Sequence, residues 1–164
     1  QHGGRPAFEL RLVLAATLSP SYGIYSGYEH CENVAAAPGS EEYLDSEKYE
    51  VKQRKLDGPL LPLVRRLNEI RRAEPALQRF DNLRLLETHG EHVLAYLKAP
   101  DVAVAANLDP TQPREDVVVV PSGIGLPEEF PVTDLLTGER YRWRHGRNYV
   151  GLAPGGAHVL KIGG

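Results

Sequence analysis

SPSYGIYSGYE, residues Ser19–Glu29, sets a short aromatic and β-branched run, Tyr22–Ser26, between Pro20 and Gly27. A run of this kind, bounded by residues that break regular structure, reads as a buried strand. A polar stretch from Tyr28 to Gly58 follows it. That is too long for an ordinary connection, and loops of this size in compact domains are functional or disordered. Upstream, the spacing of Ala7, Leu10, Val13, Leu14 and Thr17 predicts a helix over Pro6–Leu18, opened by Pro6 and ended by Ser19-Pro20. Downstream, Leu60, Leu63, Val64, Leu67 and Ile70 predict a second helix over Leu60–Ala73, flanked by Pro59 and Pro75. Helix, strand, long loop, helix makes one and a half α/β units, which cannot close a sheet or cover both its faces. These helices are expected to dock on something outside the chain.

Past Pro75 the period changes. Leu83–Leu86, Val93–Leu97, Val102–Asn107, Val117–Val120, Val132–Leu135, Arg140–Trp143, Tyr149–Leu152 and His158–Ile162 are short runs rich in β-branched or aromatic residues. Between them lie turn signals such as His89-Gly90, Pro100-Asp101, Asp109-Pro110, Thr137-Gly138 and Pro154-Gly155. Eight short strands at this spacing predict an antiparallel β-sandwich. The expected fold class is therefore α/β plus all-β, with a boundary near Arg79 that divides the chain into residues 1–78 and 79–164. The sandwich is expected to fold by itself and the first part is not.

Composition narrows the functional classes. The 164 residues carry 19 Lys and Arg against 22 Asp and Glu, a net charge of −3, and neither half has a basic excess. Phosphate-backbone binding needs one, so nucleic acid is not an expected partner. No apolar run approaches the length of a membrane span, so no membrane partner is expected either. A lone cysteine, Cys31, cannot form an internal disulfide or a thiolate zinc site, which fits a cytoplasmic location. The chain has no methionine and starts at Gln1, so a fragment of a longer protein is expected. Arg140, Arg142 and Arg144 alternate along one strand face, which is expected to be solvated.

Generic chemical motifs mostly fail. Gly123-x-Gly125 lacks a third glycine, His89-x-x-His92 spans a hairpin turn, and the acidic run Glu41–Glu47 lacks the glycine of a calcium loop. His30 and Cys31 are adjacent, so in an extended segment they point apart and make no catalytic pair. No metal and no cofactor is expected.

Ser19–Glu29 does, however, resemble the eighth strand of the α-amylase superfamily of (β/α)₈ barrels, glycoside hydrolase family 13. Ile24, Tyr25, Gly27 and Glu29 stand at the matching positions, while Tyr22 and Pro20 replace the usual proline and glycine. A strand end opening into a long loop lies on the face where such barrels build their sites. HGGRPAFELR (His2–Arg11), LSPSYGIYSGYEHCEN (Leu18–Asn33), SEEYLDSEKYE (Ser40–Glu50), RLNEIRRAEPAL (Arg66–Leu77), AANLDP (Ala105–Pro110) and TDLLTGERYRW (Thr133–Trp143) resemble the maltosyltransferases that extend α-1,4-glucans from maltose 1-phosphate. The resemblance implies that residues 1–78 are the last part of a (β/α)₈ TIM barrel and residues 79–164 the β-sandwich that follows it. It implies a retaining hexosyltransferase whose partners are maltose 1-phosphate, an α-1,4-glucan and a missing N-terminal barrel portion; a homodimer is an open option.

In that family a nucleophilic Asp, an acid/base Glu and a stabilising Asp lie upstream of the region matched here. The resemblance therefore implies no catalytic residue in this chain, which by itself is expected to be inactive. It assigns contact with the maltosyl unit to Lys48 and Tyr49. An ammonium offers three rotatable donors to sugar hydroxyls, and a phenol offers a hydrogen bond and a ring face. Without the resemblance the same two residues read as a solvated loop charge and a packing tyrosine. Tyr25, Tyr28 and Tyr43 are expected to pack, and Glu29 to anchor the loop. Two alternatives remain: another enzyme of the superfamily, hydrolase or isomerase, and a non-catalytic carbohydrate-binding or structural β-sandwich. Only Trp143 stands out as an aromatic sugar platform in the sandwich, which counts against a binding module.

Overall fold

The computed structural model of the chain describes residues 3–40, 42–44 and 51–163. Helix α1 spans Gly4–Leu18 and α2 spans Leu61–Ala73, each with a proline in its first turn and each ending just before a Pro-containing step. Short 3₁₀ turns cover Tyr28–His30 and Pro75–Gln78. Eight strands follow: β1 Leu83–Thr88, β2 Val93–Lys98, β3 Val102–Asn107, β4 Arg114–Val120, β5 Glu129–Asp134, β6 Arg140–Arg144, β7 Gly146–Leu152 and β8 Ala157–Ile162. All eight predicted strands are present, several extended by one to three residues.

The strands form one antiparallel sheet in the order β6-β5-β8-β3-β2-β1-β4-β7. The sheet folds over at β1, which divides its pairing. Leu83–Leu86 pair with β2, whereas Glu87 and Thr88 pair with Val119 and Val118 of β4. This turn brings the two halves face to face over a core that includes Leu86, Val118, Phe130, Val132, Trp143, Val150 and Leu160. The result is one nearly closed, barrel-like sheet in place of the expected two-sheet sandwich, because β1 pairs on both sides of the fold and keeps the halves continuous. Its two outermost strands, β6 and β7, meet along a seam.

A second core lies on the outer face of the same sheet. Leu12, Val13 and Ala16 of α1, Leu67 and Ile70 of α2, and Leu77 pack against Tyr96, Val102, Val104 and Val159. Strand β3 is consequently buried along its whole length, while β4 and β7 alternate between buried and exposed positions. Covered faces make a strand continuously apolar, and a solvated face makes it alternate. The helices thus dock on the sheet of this very chain. The junction near Arg79 is stitched rather than hinged: the Asn82 amide donates to Ala76 O at 2.8 Å and Ala99 O at 2.6 Å, and buried Lys98 donates to Arg79 O at 2.7 Å. Lys161 adds a further tie, reaching Glu74 at the end of α2 at 2.5 Å and Asp101 at 2.7 Å.

Two expectations are corrected. Tyr22–Ser26 is not a buried strand: Ile24 is 38% and Tyr25 58% exposed, and no strand is assigned there. A strand needs a neighbour to take its backbone N–H and C=O groups, and no described segment lies alongside it as a ladder partner. The described residues of the first part accordingly hold no parallel barrel strands; every named strand pairing in the chain is antiparallel. Among the described residues no helix is long and apolar enough to cross a membrane.

Helix and sheet are joined at a buried point by a two-step relay. Thr17 Oγ1 lies 2.6 Å from Val13 O, to which it donates, and 2.5 Å from Tyr96 Oη. Its one proton is committed to Val13, so the Tyr96 phenol is the donor to Thr17. Tyr96→Phe should therefore cost about 0.5–1.5 kcal/mol, because it strands no donor, whereas Thr17→Val should cost about 1–3 kcal/mol by leaving a buried phenol unpaired. Urea unfolding of the two variants checks the order; equal costs would mean that the phenol finds another acceptor.

Candidate functional site

The segment that leaves α1 is held by side chains rather than by a ladder. Arg71 of α2 donates to the carbonyls of Ala16, Ser19 and Pro20, satisfying groups that the end of α1 leaves unpaired. The Tyr22 ring lies 5.0 Å beneath that guanidinium, and its hydroxyl donates to Asn68 at 2.7 Å. At Gly27 the backbone adopts φ 93°, a left-handed conformation that favours glycine, and the chain turns into the short 3₁₀ turn. Glu29 accepts the Gly27 N–H at 3.0 Å, and its own carbonyl accepts the Leu60 N–H at 3.2 Å. It acts as an anchor of the loop. Gly58 is required at that crossing, since a Cβ there would sit 2.4 Å from Glu29 O.

Residues 26–32 are fastened to 54–58 by charge as well. Arg54 donates to both carboxylate oxygens of Glu32, at 3.0 and 2.8 Å, and to Ser26 Oγ at 2.8 Å. That guanidinium holds the Glu32 carboxyl below its ordinary pKa. His30 Nε2 lies 2.9 Å from Lys55 O, and Tyr28, edge-on to Phe8, donates to Phe8 O. Burial pushes the Tyr28 phenol up to about 12 and raises the Cys31 thiol too, so Cys31 is no activated thiolate. Tyr28 packs, as expected, whereas Tyr25 and Tyr43 are exposed. Beyond Cys31, Ala35 and Tyr43 form an antiparallel bridge, and Leu44 N–H donates to Val34 O at 2.8 Å.

Lys48 and Tyr49 lie outside the described residues. What the structure does place is the framework on either side of them, Leu44 tied to Val34 and Arg54 tied to Glu32 and Ser26. Glu29 and Glu32 are both engaged in positioning this framework. Among the described residues no group of three or more His, Cys, Asp or Glu side chains is placed to hold a metal ion.

A second concavity follows the seam of the sheet. Strands β6 and β7 are joined by a single residue, His145, yet share no backbone ladder. Asn148 replaces the ladder at the turn: its Oδ1 accepts the Arg144 N–H at 2.9 Å, and its amide donates to Arg144 O at 2.9 Å and Gly146 O at 3.1 Å. Beyond it the strands diverge around a groove of about 500 Å³ that continues into one of about 330 Å³. Tyr141 from β6 and Tyr149 from β7 border both portions, with buried Trp143 between them. Sequence reasoning singled out Trp143, which lies in the core, and missed the two tyrosines. Alternation gave a signal for Tyr149, which shares its strand face with Arg147, but not for Tyr141, which shares the face of Trp143. Arg140, Arg142 and Arg144 lie on the exposed side, as expected, and Arg142 pairs with Glu129 at 3.2 Å.

Residues 85–162 match the protein family described as "GLGE, C-terminal". The chain is 49% identical over 176 aligned residues to α-1,4-glucan:maltose-1-phosphate maltosyltransferase 2 of Streptomyces coelicolor, covering 99% of this chain and 26% of that protein. It is 45% identical to the α-1,4-glucan:maltose-1-phosphate maltosyltransferase of Corynebacterium glutamicum, covering 94% of this chain and 25% of that protein. The chain thus spans about a quarter of the length of the curated relatives it matches. Among solved structures, the noncanonic maltogenic α-amylase AmyB of Thermotoga neapolitana superposes with a TM-score of 0.68 at 15% identity, over 96% of this chain and 36% of that one. At that identity the likeness is one of fold.

At one end of the seam, His158 Nδ1 lies 2.7 Å from Asp134 Oδ2, and Asp134 is fully buried with its other oxygen accepting the Leu136 N–H at 2.9 Å. The hydrogen bond that His158 makes to Asp134 raises the imidazole pKa above its ordinary value, against the opposing effect of burial. A raised folded-state pKa contributes stability that is complete below the unfolded value of about 6.5 and is lost as pH rises through the folded one. The difference in unfolding free energy between the wild-type chain and His158→Gln should therefore shrink as pH rises from about 6. Urea unfolding across that range checks it; a pH-independent difference would mean that the imidazole acts by packing alone.

Proposed function

Because this chain is a homologue of the α-1,4-glucan:maltose-1-phosphate maltosyltransferases, we propose that it forms the C-terminal part of an enzyme that moves maltosyl units from α-maltose 1-phosphate to the non-reducing end of an α-1,4-glucan. The observation that carries this reading is an identity of nearly one half running through 99% of the chain, loops and sheet alike. In the longer protein, residues 1–78 complete the (β/α)₈ barrel and residues 79–164 brace it. There Tyr22–Ser26 gains the neighbouring strands that its backbone lacks here. The protein works in the cytoplasm.

The transfer retains anomeric configuration. Two carboxyls about 5–5.5 Å apart carry such a reaction, one as nucleophile and one as acid and base, through a covalent glycosyl-enzyme intermediate. Phosphate is the leaving group, and an acceptor 4-hydroxyl takes the maltosyl unit. This chain supplies none of those carboxyls. Its share is grip: Lys48 donates hydrogen bonds to maltosyl hydroxyls and Tyr49 offers a hydroxyl and a ring face. The clamps between Leu44 and Val34, and between Arg54 and Glu32, hold the two ends of the stretch that presents them. Pre-positioned contacts of this sort act on the barrier because they cost no further ordering at the moment of reaction.

By itself the chain should release no phosphate from maltose 1-phosphate in the presence of a maltooligosaccharide, and joined to its preceding chain it should. Release by the chain alone would show that the carboxylates are within it after all. In the longer protein, Lys48→Ala should lower kcat/KM by roughly ten- to a hundredfold or somewhat more, the equivalent of about 1.5–3 kcal/mol. Its melting temperature should hardly move, because a polar loop residue carries little of the fold's stability. A near-wild-type kcat/KM would return Lys48 to the status of a solvated charge.

A further inference from the structure

The larger groove at the seam gathers positive charge that its own lining does not neutralise. Arg142, Arg144 and Arg147 all border it, and Glu129 is the one carboxylate among its lining residues. Glu129 is taken by Arg142 at 3.2 Å. Among the described residues, the side chains of Arg144 and Arg147 have neither a hydrogen bond nor an ion pair. Like charges held together repel one another, and an anion between them relieves that repulsion. The backbone that carries them is fixed beforehand. His145, between the two strands, has Nδ1 3.0 Å from Pro121 O and Nε2 3.0 Å from Leu126 O, and Asn148 holds both backbone groups of Arg144. An arriving anion therefore has only two side chains to order.

Tyr149 adds a second kind of contact. It shares a strand face with Arg147, two residues and so about 7 Å away along β7. Its ring lies along the strand over Gly151, where a Cβ would stand 3.4 Å from the Tyr149 hydroxyl, and it is 64% exposed. The hydroxyl bonds to Glu115, which pairs with Gly151 in the ladder. Glu115 thus lies beyond the ring, at the end away from Arg147. Positive charge at one end and a held aromatic ring at the other decide the class of ligand. Guanidinium groups fork onto phosphate oxygens, and a ring of this kind stacks on a planar base. A nucleoside polyphosphate carries both groups in one small molecule. Free phosphate leaves the ring unused, and a nucleic acid meets a chain of net charge −3 with no basic track to follow. We propose that this groove binds a nucleoside diphosphate, its base on Tyr149 and its phosphates on Arg144 and Arg147.

The test is isothermal titration of this chain with ADP, inorganic pyrophosphate and adenosine, at about 50 mM salt so that exposed charges are not screened out, and with EDTA so that the phosphates meet side chains alone. ADP should bind with a Kd below about 1 mM, and pyrophosphate and adenosine each at least several-fold more weakly. Arg144→Ser/Arg147→Ser should weaken ADP binding by about tenfold or more, the effect of lost charge-assisted bonds. Tyr149→Leu should weaken it by about five- to tenfold, the effect of a lost stacking platform, and leave pyrophosphate binding unchanged. Neither change should move the melting temperature much, since all three side chains are exposed. Should Tyr149→Leu unfold the chain, the comparison of ADP with pyrophosphate on the wild-type chain carries the ring's part of the test. Absence of ADP binding, pyrophosphate bound as tightly as ADP, or a folded variant of either kind with wild-type affinity for ADP would each overturn the proposal. The titration needs no maltosyl transfer, so its outcome is independent of the function proposed above.

Discussion

Everything in this chain depends on the burial of β2, β3 and β8 from both sides. Ala103 and Ala105 face the interior of the folded sheet, and Val102 and Val104 face α1 and α2. Small side chains inside let the two halves of the sheet approach, and branched ones outside give the helices a surface to grip. Burial of apolar area, at roughly 25 cal/mol per Å², is the dominant favourable contribution to such a fold. Two cores that share one set of strands are therefore coupled: loosening the helices exposes the outer face of the strands on which the inner core is built.

The same arrangement explains where the chain is closed and where it is open. The double-sided strands lie in the middle of the sheet and the one-sided strands β4, β7 and β6 toward its ends. The sheet curls until those ends meet, but Asn148 substitutes for the first rungs of the ladder that would seal them. A nearly closed sheet with one wedged seam keeps its core dry and still leaves a groove bordered by aromatic rings.

The described parts of the long loop are held by polar ties. Arg71, Arg54 and Glu32 each join two segments distant in sequence, and each makes two or more bonds through one charged group. Charge-assisted and multiply bonded groups hold a loop more firmly than its apolar content would. Ile24 and Tyr25, between Tyr22 and Ser26, are exposed.

The sequence by itself determined the local elements. Helical spacing bounded by prolines located α1 and α2 to within two residues, and β-branched runs between turn signals located all eight strands, because period and turn chemistry are properties of a few adjacent residues. Segments such as SEEYLDSEKYE carried the resemblance to the family, and with it the proposal that Lys48 and Tyr49 touch substrate, which no periodicity could have supplied. Tertiary structure alone decided what lies against what. The β-rich run at Tyr22–Ser26 meets no partner strand, so its propensity goes unused. The helices find their surface on the outer face of the sheet, which local pattern could not reveal because Val102–Asn107 is apolar at alternate positions on both faces. Tyr141 and Tyr149, on strands that are neighbours in sequence and opposite ends of the sheet, come to border one groove only because the sheet curls through six intervening strands, a long-range closure that no local run of residues encodes.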